Sequence, residues 1–249
     1  DASRVLEDKP SRKKAVQQEI DALNIVIVNL YTNAFVCRVR DVHQPIRILA
    51  IDSLKSWAKA YPKEYLKPEH TKNFGFLLHD KAPEVRRRAI DAVSSLYFTD
   101  NEHDGLQRFA DRFRERVIDL TRDIDPACVS SALELLRQMM RFEYRNNHVR
   151  VLEENYPKDK MELVLRTVFH DRVTIRKAAG RLLEMWTNLI SAKEKSENGR
   201  SSMRVEILLE FISNGREKRF IPGAAWYTVD SLLNDSGFAQ SNAKRNRKR

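Results

Sequence analysis

Apolar residues recur along this chain at alternating steps of three and four, the spacing that places side chains on one face of an α-helix. Five stretches show the pattern, and Pro45, Pro68 and Pro83 fall in the first turns of three of them. The five stripes are Val16, Ile20, Leu23, Ile27 and Leu30; Ile46, Ala50, Leu54 and Trp57; Phe74, Leu77 and Leu78; Val85, Ala89, Ala92, Val93 and Leu96; and Leu106, Phe109, Phe113, Val117 and Leu120. We therefore predict a series of amphipathic helices, of which the first packs its stripe on a partner.

A repeat connects these helices. Four aspartates, each preceded by Arg or His, are separated by 39, 43 and 48 residues, close to the length of HEAT or armadillo units. They are Asp41, Asp80, Asp123 and Asp171. An arginine follows six residues later in the first two copies, as Arg47 and Arg86; the third copy has Val129 there, and in the fourth Arg176 comes one place early. We expect Asp beside Arg to join neighbouring loops by charge-assisted hydrogen bonds.

The fold class that this repeat predicts is all-α: a HEAT-like helical solenoid of antiparallel helix hairpins stacked in layers. Further stripes extend it, with Leu163, Val164, Val168 and Phe169, then Val205, Leu208, Leu209 and Ile212, then Ala225, Val229, Leu232 and Leu233. The predicted divisions are a disordered segment 1–11, HEAT-like repeats 12–192, a mobile charged linker 193–202, a further hairpin 203–235 and a disordered basic tail 236–249. His79 and His170 lie at repeat turns, where a structural hydrogen bond is expected.

Composition agrees with a helical, intracellular chain. Glycine (7) and proline (8) are sparse among 249 residues, and a net charge of +10 indicates either polyanion contact or a mixed surface with a basic tail. Cys37 and Cys128 form no CxxC pair, which favours a reducing compartment. The longest apolar run, Leu23 to Tyr31, is too short to span a bilayer, so no membrane partner is expected.

Catalytic signatures are missing from the sequence. It contains no glycine-rich phosphate loop, HExxH motif, paired CxxC or nucleophile elbow. We therefore predict a protein that is not an enzyme, with no cofactor, no metal site and no small-molecule substrate. Its function is expected to lie in its surfaces.

Four short motifs occur in order along the first half of the chain: FVCRVRD at 35–41, GFLLHDK at 75–81, EVR at 84–86 and FADRF at 109–113. They resemble the stromalin conservative domain of the cohesin stromal-antigen (stromalin) subunits, whose pattern reads FVHRYRD, GWxxHDKxxEVR and FxxRFxxR. The similarity covers about residues 18 to 235. It implies a chromatin-associated nuclear scaffold that binds the kleisin subunit of cohesin. Such a scaffold acts in sister-chromatid cohesion and chromosome organisation.

The resemblance also implies a basic and aromatic surface for peptides that carry aromatic residues. In the family, such peptides come from shugoshin, Wapl-type release factors and the insulator zinc-finger protein, and the kleisin chain helps to form the pocket. The matching positions here are Arg40, Lys72, Phe76, Arg112 and Phe113. Core packing is the alternative for Phe76 and Phe113, and capping of the repeat turn is the alternative for Arg40.

Two substitutions distinguish this chain from the family pattern at that pocket. Val39 stands where the family has an aromatic residue, and Phe76 stands where it has tryptophan. The apolar surface that would contact an aromatic side chain of the peptide is therefore smaller, and we expect peptide recognition to be either weakened or changed in specificity.

Contact with double-stranded DNA, without sequence readout, is a further implication of the resemblance. The candidate cations are Lys13, Lys14, Lys81, Arg87, Arg88, Lys244, Arg245, Arg247, Lys248 and Arg249. The terminal KRNRKR run also fits a nuclear-import signal. Two other functions stay open at this point: a DNA-binding solenoid without a peptide pocket, and a generic HEAT adaptor of nuclear transport.

Overall fold

The computed structural model describes residues 2–98, 104–192, 194 and 196–213, with side chains from Arg12 onward except at 146–153, 197, 210, 212 and 213. Every element in these ranges is helical, and the chain divides into two compact units, 1–53 and 54–249. The elements are α1 (Ala2–Leu30), a π-helical turn (Tyr31–Phe35), α2 (Val36–Val39), α3 (Gln44–Ala60), α4 (Pro62–Tyr65), α5 (Pro68–Leu77), α6 (Pro83–Tyr97), α7 (Asp104–Leu120), α8 (Pro126–Asn155), α9 (Lys158–Leu165), a 3₁₀ turn (Arg166–Phe169), α10 (Val173–Ser191) and α11 (Glu197–Ser213). The predicted all-α HEAT-like solenoid is confirmed.

Helix α1 of the first unit differs from the prediction in two ways. It begins at Ala2, so residues 2–11 are helical rather than disordered, as the good helix formers Arg, Leu, Glu and Lys in this stretch favour. Its predicted stripe is exposed instead of packed, and the apolar residues on its other faces are exposed as well. The exposed set is Val16, Ile20, Leu23, Ile25, Val26, Ile27, Val28 and Leu30.

The continuous helical stretch Arg12–Val39 is long and apolar enough, by length and composition alone, to cross a membrane. The sequence estimate was too short because it counted only the run from Leu23 to Tyr31, which Asn24 and Asn29 interrupt. Core helices of soluble proteins and signal sequences pass the same test of length and composition.

The second unit buries its helices in layers. Helix α8 packs on α6, α7 and α10, while α5 packs on α6 and α7, and α10 also packs on α11. The predicted stripes of α5, α6 and α7 are buried. Leu163 of α9 is an exception, because it is exposed while Val164, Val168 and Phe169 are buried. The predicted stripe of α11 is mostly wrong, because Val205 and Leu209 are exposed and Leu208 alone is buried among its members with described side chains. A stripe at helical spacing therefore predicted the buried face best in the helices that are packed on two neighbours.

The repeat turns share one hydrogen-bonding arrangement. In the first two, the aspartate Oδ1 accepts a hydrogen bond from the backbone N–H two residues later, at 2.9 Å from His43 and 2.8 Å from Ala82. The arginine six residues after the aspartate then donates from Nη1 to two successive carbonyl oxygens. Arg47 reaches Asp41 at 2.9 Å and Val42 at 3.2 Å, and Arg86 reaches Asp80 at 2.8 Å and Lys81 at 3.1 Å.

The fourth turn uses His170 where the first two use aspartate. Its Nδ1 accepts a hydrogen bond from the Arg172 N–H at 3.0 Å, and Arg176 Nη1 donates to the carbonyls of His170 and Asp171 at 2.8 and 2.7 Å. Arg176 is therefore six residues after the capping residue, as in the other copies. The sequence alignment on Asp171 was wrong by one position, and the structural role expected of His170 is confirmed.

The third turn has Val129 in place of the arginine, and its aspartate, Asp123, binds the arginine of the preceding repeat. Asp123 accepts the Asp125 N–H at 2.9 Å, and it also binds Arg86 through both carboxylate oxygens, at 2.8 and 2.7 Å. This bidentate pair is largely buried and joins neighbouring loops, as the sequence pattern predicted.

Near the C-terminus, α11 begins at Glu197, inside the segment 193–202 that was predicted as a mobile linker. Glutamate, arginine and methionine favour a helix there, and no proline interrupts it. The second helix of the predicted last hairpin and the tail 236–249 lie outside the described residues.

Candidate functional site

Helices α5 and α7 approach each other closely at Gly75. A Cβ atom added there would lie 2.0 Å from the Phe113 ring, so only glycine fits this contact. Phe113 in turn packs on Phe109, with ring centroids 4.9 Å apart, and is only 7% exposed. Phe113 is therefore a core residue that holds two helices of the candidate site together.

Two predicted site residues, Lys72 and Phe76, lie one helical turn apart on α5. Lys72 is half-buried, and Phe76 is exposed by 38% although its neighbours Gly75 and Leu77 are buried. Core packing was the favoured alternative for Phe76, but its ring lies partly in solvent. An aromatic ring at this exposure can receive another apolar side chain.

Arg112 of α7 is exposed, and its guanidinium carbon lies 5.3 Å from the centroid of the Phe113 ring. This stacking limits the freedom of the side chain while leaving the charge in water. One turn further along α7, Arg116 donates from Nε and Nη2 to the Leu78 carbonyl oxygen, at 3.2 and 3.0 Å. The cationic side of α7 is thus attached to the end of α5.

Arg40 belongs to the first unit. It is exposed at the C-terminal end of α2, where its backbone N–H donates to the Cys37 carbonyl at 3.2 Å. The preceding residue, Val39, is buried. Of the five predicted site residues, the structure therefore brings four together on the packed helices α5 and α7.

A buried charged cluster joins α7 to α8 and was missed by the sequence analysis. Arg114 of α7 donates to the fully buried carboxylate of Glu143 on α8, and its guanidinium lies over the Tyr156 ring at 5.2 Å. Gln107 Nε2 reaches Glu143 at 3.4 Å. Burial alone would lower the pKa of Arg114, but the hydrogen bond and charge of Glu143 raise it instead. Arg114 therefore stays charged, and its hydrogen bond to Glu143 ties α7 to α8.

The predicted DNA-contact cations occupy different environments. Lys13, Lys14 and Lys81 are exposed. Arg87 pairs with Glu84 at 2.8 Å and with Asp91 at 3.8 Å, so the two carboxylates offset the positive charge at this position. Arg88 is half-buried. The remaining candidates, Lys244, Arg245, Arg247, Lys248 and Arg249, lie outside the described residues.

A second basic region, which the sequence analysis also missed, lies between α8, α10 and α11. Six arginines line it, drawn from three helices. They are Arg137, Arg141, Arg145, Arg181, Arg200 and Arg204. Their spacing on α8, four residues apart at 137, 141 and 145, is the one sequence signal that indicates a basic helix face.

Comparison with known families places the α5 and α7 surface within a recognised domain. Residues 40–114 match the family model described as the stromalin conservative domain. This part of the chain is similar to a stromalin conservative domain. The resemblance stated from the four motifs is thereby confirmed, and the matched region includes α5, α6 and most of α7.

Curated relatives extend the similarity beyond the stromalin conservative domain. The chain is 28% identical over 185 residues to sister-chromatid cohesion protein 3 of Arabidopsis thaliana, covering 74% of this chain and 16% of that protein. It is 26% identical over 230 residues to cohesin subunit SA-1 of Xenopus laevis, covering 90% of this chain and 17% of that protein. The chain thus spans about a sixth of the length of these relatives.

A solved structure has the same fold. The cohesin subunit Scc3 from Z. rouxii aligns with 92% of this chain and 28% of its own length, with a TM-score of 0.70 and 20% sequence identity. Agreement at this level of identity supports the helical solenoid.

Proposed function

We propose that this chain is a scaffold segment of a cohesin subunit, acting on chromatin in the nucleus in sister-chromatid cohesion. The stromalin conservative domain supports this, as do the relatives named as cohesin subunits. The role is non-enzymatic: the segment holds other chains on its surface, the kleisin subunit among them.

The partner surface that we propose is built on α5 and α7. One observation carries this proposal: an exposed phenylalanine, Phe76, lies beside Lys72 on a helix that packs against the one bearing the stacked, exposed Arg112. A ring with neighbouring cations suits a peptide that presents an aromatic side chain and backbone carbonyls or carboxylates. Kleisin or regulator segments with aromatic residues, such as those of shugoshin, Wapl-type or insulator-type proteins, have this chemistry. Arg40 is proposed as a further contact.

The experiment is a titration of a fluorescein-labelled, aromatic-bearing kleisin or regulator peptide into the whole chain. We expect Phe76→Ala and Arg112→Glu each to weaken binding about tenfold, which corresponds to ~1.4 kcal/mol. Arg122→Glu is the matched control, because Arg122 is an exposed arginine with only a 3.7 Å pair to Asp119. Unchanged affinity in both Phe76→Ala and Arg112→Glu would remove this surface from the proposal.

Non-specific binding of duplex DNA is the second candidate function, favoured by the exposed Lys13, Lys14 and Lys81 and by the net charge of +10. The logarithm of the affinity should then fall linearly with the logarithm of salt concentration, by about 0.9 per phosphate neutralised. Removing residues 244–249 should reduce the slope if the tail takes part. An affinity that does not depend on salt would exclude this function.

A further inference from the structure

The arginine-lined groove between α8, α10 and α11 has two chemically different arms. The polar arm, of about 580 Å³, contains Arg137, Arg141 and Arg181. The apolar arm, of about 440 Å³, contains Tyr144, Met185 and Leu189, with Arg200 and Arg204 at its edge. Arg141, Met185 and Asn188 belong to both arms, so the two form one continuous groove.

Positive charge in this groove is only partly balanced. Arg137 is held by Glu134 at 2.7 and 3.1 Å, and Glu184 is the one acidic residue that lines the groove among the described residues. Arg141 and Arg181 are exposed. Both line the groove, and an exposed guanidinium group can bind a carboxylate through two hydrogen bonds.

Asn188 gives the groove a directed hydrogen-bond acceptor. Its Oδ1 atom is buried and has no hydrogen-bond partner among the described residues, and Asn188 lines both arms. A buried acceptor without a donor costs free energy, and an N–H group supplied by a ligand removes that cost. At the far side, Arg204 Nε donates to Ser191 Oγ at 3.3 Å, which ties α11 to α10.

We propose that this groove binds an acidic peptide segment that carries one bulky apolar side chain. The carboxylates pair with Arg141 and Arg181, the apolar side chain enters the arm formed by Tyr144, Met185 and Leu189, and a backbone N–H of the peptide donates to Asn188 Oδ1. The terminal KRNRKR run of this sequence has the wrong charge to be the occupant.

Two observations favour a peptide over a nucleic acid. A phosphate backbone presents acceptors and no N–H donors, so it leaves Asn188 Oδ1 without a partner. It also offers nothing apolar for Met185 and Leu189. This groove is separate from the α5 and α7 surface, so the two proposals succeed or fail independently.

The test uses the whole chain and three fluorescein-labelled peptides. In the first, one Phe is flanked on both sides by Asp and Glu residues; in the second, Ser replaces Phe; in the third, Lys replaces every acidic residue. We expect the first peptide to bind most tightly and the third not to bind. The double variant Arg141→Glu with Arg181→Glu should weaken the first peptide about tenfold or more, since each reversal removes one attraction and adds one repulsion.

Two further variants separate binding from folding. The double variant Arg122→Glu with Arg166→Glu makes the same change of charge at exposed residues away from the groove and should leave affinity unchanged. Met185→Ser should reduce the preference for Phe over Ser in the peptide, which a merely structural role would not do. The proposal is overturned if the groove variant binds the first peptide as tightly as the unchanged chain. It is also overturned if a 20-base-pair DNA duplex, and not the peptide, shows the sensitivity to Arg141 and Arg181.

Discussion

Arg86 binds both carboxylate oxygens of Asp123, 37 residues further along the chain, and thereby fastens one repeat turn to the next. The same guanidinium also holds two carbonyl oxygens of its own turn. A single side chain thus sets the local geometry of a turn and the contact between two layers.

Replacing Arg86 with methionine should lower the free energy of unfolding by about 2–4 kcal/mol, because it leaves Asp123 largely buried without its cation. The side chains of the pair are only 12% and 7% exposed. Urea denaturation of the whole chain measures the change. Arg87→Met is the matched control, since Arg87 pairs with an exposed glutamate and should cost no more than about 1 kcal/mol. Equal losses in the two variants would contradict the role of Arg86.

The Asp123 carboxylate should make stability depend on pH. Burial alone would raise its pKa, but the hydrogen bonds from Arg86 and from the Asp125 N–H lower it below the ordinary value of 3.8. Because the pKa falls on folding, the stabilisation is complete above about pH 4–5 and is lost as the pH drops through the lowered pKa. The unchanged chain should therefore have a higher free energy of unfolding than Asp123→Asn at neutral pH. This difference should disappear only as the pH is lowered through the pKa of Asp123. Asp119→Asn, at an exposed residue, should show no such trend.

Gly75→Ala should destabilise the contact between α5 and α7 by about 1–3 kcal/mol, since the added methyl group would overlap the Phe113 ring. Combining it with Phe113→Leu should cost less than the sum of the two single changes, because the smaller side chain makes room. Thermal or urea unfolding of the unchanged chain, the two single variants and the double variant measures the coupling free energy between residues 75 and 113. Gly199→Ala is the control, since its methyl group meets only the flexible side chain of Glu194. Strict additivity would show that Phe113 does not limit residue 75.

The two cysteines should differ sharply in reactivity. Cys37 is exposed, whereas Cys128 is buried and its Sγ donates to the Pro83 carbonyl at 3.2 Å. Burial raises the pKa of the Cys128 thiol to about 12, with the nearby Asp123 and Asp125 adding to the shift. At pH 8, Ellman's reagent should therefore label one thiol quickly in the folded chain and both in urea. Rapid labelling of both in the folded chain would contradict the burial of Cys128.

The sequence predicted the helices best where one face is buried against a neighbour. Periodicity identified α3, α5, α6 and α7 because core helices need apolar side chains at steps of three and four. It could not show that the stripe of α1 is exposed, since a stripe indicates the need for a partner and not its presence. It also failed at His170, because imidazole and carboxylate look different in sequence while both accept the same N–H.

The candidate site was predictable only in part, and for a similar reason. Motif resemblance located Lys72, Phe76 and Arg112, but the exposure of Phe76 depends on how α5 packs. Arg114 and Glu143 are 29 residues apart, and charged residues usually face solvent, so their buried pair had no local signal. The arginine groove combines three helices, and the spacing of residues within any one of them does not reveal it.

The arginines of the repeat turns hold neutral carbonyl oxygens, and this choice of acceptor has a practical consequence. A carbonyl does not titrate, and its short-range bond to a guanidinium is far less sensitive to ionic strength than an attraction between exposed charges. The turns around Arg47 and Arg176 should therefore keep their shape across a wide range of salt. Affinity changes in a salt titration of this chain will then report on its surface charges and not on melting of the layers beneath them.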